Sequence, residues 1–442
     1  WNSYQCGWKY VARTLVKVLI NLCGFTWLTD DFSYYDYASL EQSVRIRLAV
    51  RQARCFYFFI RKLRKVWDMP ENLPKDIQYA VEQALDFNES VLLPLASDLS
   101  LENRRRVVDA SKAAGFFQKT QPEEYGGNPA STLELTALRE TFAASNSPLA
   151  RFVFGPGPGV LHSVEGELRE NYLEPVLRGE KRGTFGFTEP DSAERPSWGV
   201  VINDELVVNG QKSYVTGGAD ADFVSALINV EKDDGAKLGT AMVVLDMADE
   251  GLEIEREFTS LDGSDHVAMR FNSIRVPLTR LVGRPGEGMP RALANIGNVR
   301  MLVSAQAMGM CLWVIDFIEG YLQGPHRSGV SLSEREGVRL RYADMRLKSY
   351  VARSAIYRTA RLVDRGVNAA NETAMIKVFV TETLGEIVDT AVQLYGGQAL
   401  VTGHPLELLY REVRSFRFVE GASDLLRLNI AKGRFELGKG GL

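Results

Sequence analysis

The hydrophobic period of this 442-residue chain changes twice, and those changes limit the folds that it can adopt. Residues 76–183 place apolar side chains at helical spacing, residues 184–287 form short segments typical of strands, and residues 288–442 return to helical spacing over long stretches. Long helices with short connections favour an antiparallel bundle. We therefore predict an α+β fold with an N-terminal helical domain, a middle β-barrel-like domain and a C-terminal helical bundle.

Charge and cysteine content exclude several classes of function. The formal net charge of −4 gives no general case for nucleic-acid binding. Cysteines at four scattered positions are too few for a disulfide framework or a zinc site, and we predict no metal site. No run reaches the roughly 18 consecutive apolar residues that cross a bilayer. The chain begins at Trp1 rather than at methionine, so the earlier removal of a targeting segment is an expectation.

Residues 1–75 differ in composition from the rest of the chain and are predicted to form an extension. They hold four of the six tryptophans, and eight basic residues with no acidic one lie between Arg45 and Lys65. The apolar run 55–60 interrupts those charges. Such a surface would suit an anionic membrane or a large protein partner. The alternative is an extension that packs on its own domain and exposes a solvated basic face.

One carboxylate near the C-terminus, Glu420, is a candidate base. It stands between apolar residues and Gly421. A carboxylate that is partly desolvated there would have a raised pKa and could accept a proton near neutral pH. The alternative is that Glu420 only pairs on the surface with Arg414 or Arg417.

The motifs around Glu420 resemble the C-terminal signature of acyl-CoA dehydrogenases. The chain reads Gln-x-x-Gly-Gly at Gln393, Gly396 and Gly397, Tyr-Arg-Glu-x-Arg from Tyr410, and Glu-Gly-x-Ser from Glu420. A loop from Pro122, Pro-Glu-x-Tyr-Gly-Gly, is also similar to a family motif. The resemblance covers roughly residues 76–438 and implies the same order of domains that the hydrophobic period predicts.

The resemblance implies a role for each matching residue. Glu420 would remove the α-proton of an acyl-CoA thioester while the β-hydride passes to bound FAD. Gly421 and Arg300 would bind the substrate, Arg300 near the coenzyme A nucleotide. The residues of the Gln-x-x-Gly-Gly motif, Gln393, Gly396 and Gly397, would bind the FAD of a partner subunit.

Two further segments resemble the family's flavin-binding loop and strand. The run from Phe185 matches aromatic-x-x-Thr-Glu-Pro, in which the loop and Thr188 would bind the pyrimidine side of the flavin. The run Gly-Gln-Lys-Ser-Tyr-Val-Thr from Gly210 matches the second flavin-binding strand. There Thr216 would bond near flavin N5, and Tyr214 replaces the family's usual tryptophan.

Four positions bear on the family's cofactor and substrate contacts because they depart from its pattern. The family's Arg-x-x-Phe-Gly, whose arginine holds the FAD pyrophosphate of a neighbouring subunit, has become a run from Pro325 with Ser328 in place of phenylalanine. Arg327 would substitute for the lost arginine only if the loop shifts by two residues. Val419 and Ala422 replace the usual tyrosine and threonine beside the base. We therefore expect weaker FAD retention and turnover.

Two functions follow as hypotheses. The first is an FAD-dependent acyl-CoA dehydrogenase-like flavoprotein that forms α,β-unsaturated thioesters. It would work as a homo-oligomer, or as a hetero-oligomer with another such subunit, and would pass electrons to an electron-transfer flavoprotein. The alternative is a catalytically weakened homologue that serves as an accessory or assembly subunit of a membrane-bound respiratory complex, complex I, docked through residues 1–75. Both hypotheses place the chain in the mitochondrial matrix, either free or attached to the inner membrane.

Overall fold

The computed structural model describes residues 73–441, which lie within one compact unit, Pro70–Leu442. The predicted extension over residues 1–75 therefore falls outside the described residues, apart from its last three. From residue 73 onward, the chain forms helices, then a sheet, then long helices. The predicted α+β order is confirmed.

The N-terminal part is helical and packs around a cluster of phenylalanines. Its main helices are α1 Lys75–Phe87, α2 Leu101–Ala114, α3 Thr132–Ala143 and α4 Glu174–Arg178. The Ser100 and Ser131 hydroxyls cap α2 and α3 by accepting hydrogen bonds from backbone N–H groups. Buried rings meet edge to face at Phe87, Phe116 and Phe142, with centroids 5.1 to 5.9 Å apart.

Two helical segments of this part are less regular than the predicted ones. After α1, at the start of the span predicted to be helical, the chain passes through a π-helical turn, Asn88–Leu92, and then the short helix Leu93–Leu95. The segment before α4 consists of the short helix Gly166–Leu168 and a second π-helical turn, Arg169–Leu173. Hydrophobic spacing predicts that helices are present here, but it does not predict the π-helical turns, in which one extra residue widens the helix.

The middle part is an eight-stranded mixed sheet. Its strands are β1 Gly183–Gly186, β2 Trp198–Ile202, β3 Glu205–Thr216, β4 Phe223–Lys232, β5 Lys237–Asp246, β6 Leu252–Thr259, β7 Asp265–Pro277 and β8 Leu281–Val282. The strand order is β6-β7-β3-β2-β4-β5-β8, and β1 pairs in parallel with β4. The sheet places β3, which carries Tyr214 and Thr216, beside β7.

Both faces of the sheet are covered at β4, as the alternation of its side chains shows. Val224, Ala226 and Ile228 enter one hydrophobic core formed by the strands themselves. Phe223 and Leu227 point to the other face and pack against the helical segment that precedes the sheet. The core therefore continues from the sheet into the N-terminal helices.

The C-terminal part is a bundle of long helices. They are α5 Gly288–Gln323, α6 Glu336–Asp364, α7 Ala370–Tyr395, α8 Pro405–Ser415 and α9 Ser423–Phe435. A Cβ at Gly309 would overlap the backbone carbonyl of Glu140, so glycine lets α5 pack closely on α3. Arg353 of α6 also bonds the buried Glu140 carboxylate, with 2.6 Å between Nη2 and Oε1.

Helix α5 is long and apolar enough to cross a membrane by length and composition, and it is the one such helix among residues 73–441. In the fold, 61% of its most apolar window is buried. A core helix of a bundle meets the same criteria, so this feature is weak evidence for a membrane span.

Candidate active site

The turn that joins α8 to α9 has a backbone conformation that few residues adopt. Glu420 has a φ of +56° and Gly421 a φ of +106°, so two consecutive residues lie in the left-handed region. A side chain at position 421 would also be crowded, because its Cβ would lie 3.2 Å from a methyl carbon of Leu426. A strained non-glycine residue costs about 1–3 kcal/mol and persists only where its surroundings impose it.

Two cationic side chains from different helices hold this turn. Nε of Arg300, on α5, donates to the Glu420 carbonyl oxygen at 3.0 Å. Nζ of Lys377, on α7, donates to the Gly421 carbonyl oxygen at 2.8 Å. The backbone N–H of Ser423 closes the turn by donating to the Arg417 carbonyl at 2.9 Å. Contacts from α5 and α7 thus compensate for the strain at Glu420.

The electrostatic setting of Glu420 suits a base. Burial raises the pKa of its carboxyl group, while the charges of Arg300 and Lys377 oppose that increase. Burial in turn lowers the pKa of Arg300, and burial together with the Arg300 charge lowers the pKa of Lys377 to about 8. A carboxylate with a raised pKa is better matched to proton transfer near neutral pH.

The surface ion pair considered as an alternative for Glu420 does not form. Arg417 lies 3.6 Å from a carboxylate oxygen of Glu382, and the Arg414 guanidinium lies over the ring of Phe418 at 4.8 Å. Both candidate arginines therefore contact other groups.

Arg300 and Gly421, predicted to bind substrate, both lie at this turn. Gly421 follows the base directly, and a Cβ there would approach Nη2 of Arg300 to 3.5 Å. The backbone contact of Arg300 is an added finding, and its contact with a coenzyme A nucleotide stays a prediction.

The sheet brings together the four residues predicted to bind the flavin ring. Thr188 is exposed, and its carbonyl accepts a hydrogen bond from Ser213 N–H at 2.8 Å, which docks the loop on β3. Phe185 stacks on Phe187 with ring centroids 5.7 Å apart. The other two predicted residues, Tyr214 and Thr216, follow on the same strand.

An irregularity in β3 exposes Tyr214. The pairing of β3 with β7 shifts between Lys212 and Val215, and Tyr214 has a φ of +53°. Its ring is 62% exposed and meets the ring of Phe258 edge to face at 5.2 Å. The Thr216 hydroxyl lies 3.1 Å from Nδ1 of His266. A bulge of this kind turns side chains out of the sheet, where a ring system could stack.

An ion pair between a buried lysine and a half-buried glutamate, which the sequence analysis missed, anchors the Thr188 loop. Nζ of Lys212, a residue 1% exposed, lies 2.7 Å from Oε1 of Glu189, and Ser197 N–H donates to the same oxygen at 2.7 Å. Burial alone would raise the pKa of Glu189, but the bonds to Lys212 and Ser197 outweigh the effect of burial, and the pKa is lowered. Two features of the sequence could have indicated this pair: a lysine inside a predicted strand, and an acidic residue in the loop before it.

The third group of predicted residues lies at the far end of the bundle. Gly396 ends α7 with a φ of +86° and a ψ of −169°, a region essentially restricted to glycine. A Cβ at Gly396 or Gly397 would meet no atom within 4 Å, and Gln393 is exposed. The ring of Tyr395 stacks on Tyr321 of α5 at 4.1 Å.

This end of the bundle is remote from Glu420. Arg300 and Tyr321 lie on the same helix, and 21 residues of α-helix span about 30 Å. Since Arg300 contacts the base and Tyr321 contacts the end of α7, one bound flavin ring beside Glu420 would lie roughly that far from Gly396 of the same chain. Arg327, which is exposed, lies in the connection after α5 at the same remote end.

The residues present fit FAD in two separate half-sites. An exposed aromatic ring and two exposed threonines at the sheet fit a flavin ring, and a backbone cradle without Cβ atoms at Gly396 and Gly397 fits a close approach by a phosphate chain. The loop that carries Arg327 does not supply the family's arginine, because Pro325 stands at that position.

Comparisons with known proteins identify the family. Residues 75–180 match the N-terminal domain of acyl-CoA dehydrogenases, and residues 286–435 match the C-terminal domain. The chain therefore belongs to the acyl-CoA dehydrogenase family.

Individual relatives resemble most of the chain. It is 26% identical to the 3-(aryl)acrylate reductase of Clostridium sporogenes, over 79% of this chain and 95% of that protein. It is 25% identical to subunit CarC of the caffeyl-CoA reductase-Etf complex of Acetobacterium woodii, over 74% of this chain and 89% of that protein. The butyryl-CoA dehydrogenase of Megasphaera elsdenii has a similar fold, with a TM-score of 0.70 at 21% identity over 83% of this chain and 99% of that one.

Proposed function

We propose that this chain catalyses α,β-oxidoreduction of an acyl-CoA thioester, with Glu420 as the group that transfers the α-proton. The observation that carries the proposal is the strained Glu420–Gly421 turn, held by Arg300 and Lys377, in a chain of this family. Family members are acyl-CoA dehydrogenases, and the two curated relatives compared above are named as reductases or as part of a reductase complex.

The chemistry requires a base and a donor for the thioester oxygen. A thioester α-proton is only weakly acidic, so hydrogen bonds to the oxygen must stabilise the charge that develops there. The backbone N–H of Glu420 makes no hydrogen bond to the described residues and is available as such a donor.

The same residues serve both directions of the reaction. In oxidation, the Glu420 carboxylate takes the α-proton, the α,β double bond forms, and a hydride leaves the β-carbon. In reduction, the protonated Glu420 returns its proton to the α-carbon. Bound FAD would supply the chemistry that accepts or returns the β-hydride. The raised pKa of Glu420 suits both roles because the group is then closer to balance between its two forms at neutral pH.

The separation of the two FAD half-sites supports an oligomer. A flavin ring at Tyr214 and Glu420 of one chain could not also reach Gly396 of that chain if about 30 Å lies between them. We propose that Gln393, Gly396 and Gly397 serve the FAD of a neighbouring subunit, which is either a second copy or a related chain. An electron-transfer flavoprotein is the proposed electron partner, and the name of the relative from Acetobacterium woodii includes one.

The role as an accessory subunit of complex I depends on residues outside the described part of the chain, and no comparison supports it. Docking through residues 1–75 and a mitochondrial location stay predictions.

We expect FAD to leave the protein during dialysis when the chain forms a homo-oligomer. Pro325 and Ser328 remove the family's pyrophosphate contact, and a hydrogen bond to a charged group contributes about 1.5–3 kcal/mol. The double variant P325R/S328F should therefore bind FAD about 10- to 100-fold more tightly, as fluorescence titration of the apoprotein would measure. V330R is the matched control, because it adds an arginine to the same loop without restoring the motif. A parent that keeps one FAD per chain after extensive dialysis would contradict the expectation.

Anaerobic mixing with thioesters tests the proposed activity. The FAD-supplemented protein should lose its oxidised-flavin absorbance with a saturated thioester, butyryl-CoA or 3-phenylpropionyl-CoA. The chemically reduced protein should regain it with the corresponding α,β-unsaturated thioester. If none of the four thioesters changes the flavin spectrum of protein that has bound FAD, the proposed function is wrong.

A further inference from the structure

Lys377 is a charged residue in an apolar part of a helix. It follows Ala374, Met375 and Ile376 and precedes Val378 on α7, and it is fully buried at 0% exposure. Buried lysines are rare unless they are paired, because the ammonium group loses its hydration. Such a residue needs a specific partner in the fold.

The partner of Lys377 is a backbone carbonyl rather than a carboxylate. Its Nζ donates to the Gly421 carbonyl oxygen at 2.8 Å, and no carboxylate oxygen of the described residues lies within 4.0 Å of it. Glu420 and Glu382 face it at longer range with negative charge, and Arg300 faces it with positive charge. A neutral side chain could fill this apolar site at a lower desolvation cost, so the charge points to a role beyond packing.

The bonded carbonyl belongs to the residue that follows the proposed base. Arg300 holds the Glu420 carbonyl and Lys377 holds the next one, so both peptide units after the base are fixed by side chains from two different helices. Because Glu420 and Gly421 both have positive φ, release of either carbonyl would let the turn relax towards an ordinary conformation. The side chain and the N–H of Glu420 would then change direction.

We propose that Lys377 is a positioning residue for the proposed function: it holds the Glu420–Gly421 turn in its reactive conformation, and its positive charge favours the ionised carboxylate of Glu420. It acts through the turn and through its charge, and it does not contact the reacting atoms. The proposal rests on the proposed function for its catalytic part and on the geometry alone for its structural part.

The rate of the proposed reaction should depend on the ionisation of both Glu420 and Lys377. Glu420 must be ionised to accept the α-proton, and its pKa is raised by burial, so the rate of oxidation should fall as the pH decreases through that raised pKa. Lys377, whose burial and whose neighbour Arg300 lower its pKa to about 8, loses its charge as the pH increases through that value. Oxidation should therefore also decline on the alkaline side near pH 8.

Two variants at position 377 separate these effects, and K348M is their control. K377M keeps most of the side-chain volume but removes the donor and the charge, and K377R keeps both while removing a group that titrates in this range. Lys348 also contacts α7, through Glu386, but its side chain is 44% exposed and remote from the turn in sequence. K348M should match the parent in every measurement.

The first measurement is amide hydrogen exchange of the intact protein, followed by mass spectrometry of peptides that cover residues 416–424. K377M should exchange faster than the parent there, while K377R should stay close to the parent. This readout needs no substrate, so it decides the structural part even if no thioester is turned over. Equal exchange of the turn in K377M and in the parent would overturn the proposal.

The second measurement is the pH profile of kcat and KM for a thioester that the parent oxidises. K377M should lower kcat about 100-fold, the size expected when a reacting group is misplaced by about 1 Å, with KM changed less than threefold. Its acidic limb should move to higher pH, since Glu420 loses a favourable charge. K377R should recover most of kcat and lose the alkaline limb.

The two proposals fail in different ways. An inactive parent whose K377M variant shows faster exchange of the turn sinks the proposed function and keeps the structural role of Lys377. An active parent whose K377M variant keeps kcat within threefold overturns the catalytic role. If K377M does not fold, K377R decides: an alkaline limb unchanged from the parent shows that Lys377 does not set it.

Discussion

Replacing Glu420 by glutamine is expected to lower the rate of flavin reduction by an acyl-CoA substrate about 10²- to 10⁴-fold. Glutamine has nearly the same shape as glutamate but cannot accept the α-proton. The turn should survive, because Arg300 and Lys377 bond backbone carbonyls and not the carboxylate that is changed. The measurement is stopped-flow absorbance of the flavin under anaerobic conditions, with thermal unfolding to confirm that the fold is intact.

Asp424 provides the matched control for E420Q. It lies four residues further along, and its side chain is 98% exposed, so D424N changes a nearby carboxylate that the site does not use. D424N should retain the rate of the parent within twofold. A rate for E420Q within a few-fold of the parent would remove Glu420 from the reaction.

K212M is expected to destabilise the protein by about 1–3 kcal/mol, because the Glu189 carboxylate loses its charged partner but, at 25% exposure, keeps part of its hydration. Lys212 is buried on β3, and its loss leaves the Glu189 carboxylate with only the Ser197 N–H. The loop that carries Thr188 should loosen, and affinity for FAD should fall with it. Urea unfolding followed by tryptophan fluorescence measures the first effect, and fluorescence titration with FAD measures the second.

K232M is the control for K212M because Lys232 ends β4 and is exposed. It should change the free energy of unfolding by less than about 0.5 kcal/mol, as surface substitutions usually do. If K212M unfolds at the same urea concentration as the parent, the ion pair does not anchor the loop.

Local sequence patterns predict much of this fold because they report on local structure. The hydrophobic spacing predicts N-terminal helices, a middle part made of strands, and long C-terminal helices. The structure contains all three. Gly421, which the sequence places directly after Glu420, lies in the turn before the last helix, where φ is positive. The widened turn Asn88–Leu92 is invisible to such patterns, since one extra residue barely changes them.

The partners of Glu420 are harder to predict from the sequence because they are remote along the chain. Arg300 is 120 residues away from the base, and Lys377 is 44 residues away from Gly421. An isolated lysine in an apolar helix signals a buried partner but does not name it. The nearby Arg414 and Arg417 are plausible partners by sequence distance alone, and the structure shows them contacting Phe418 and Glu382 instead.

The separation of the FAD half-sites likewise depends on tertiary packing. Sequence motifs give Tyr214, Thr216, Gly396 and Gly397 as cofactor contacts without saying whether one chain can bring them together. Packing of α5 beside α7 places Gly396 about 30 Å from the Glu420 turn of the same chain. This arrangement supports the proposal that a second subunit completes the FAD site.

Incorporation of deuterium at the α-carbon is the most direct test of the central claim that Glu420 transfers the α-proton. The FAD-loaded protein is incubated in D₂O with acetyl-CoA, which has α-protons but no β-carbon and so reports proton transfer alone. Mass spectrometry of the recovered thioester should show deuterium in the acetyl group with the parent protein and no more than the uncatalysed level with E420Q. Equal incorporation by the parent and by E420Q would contradict the assignment.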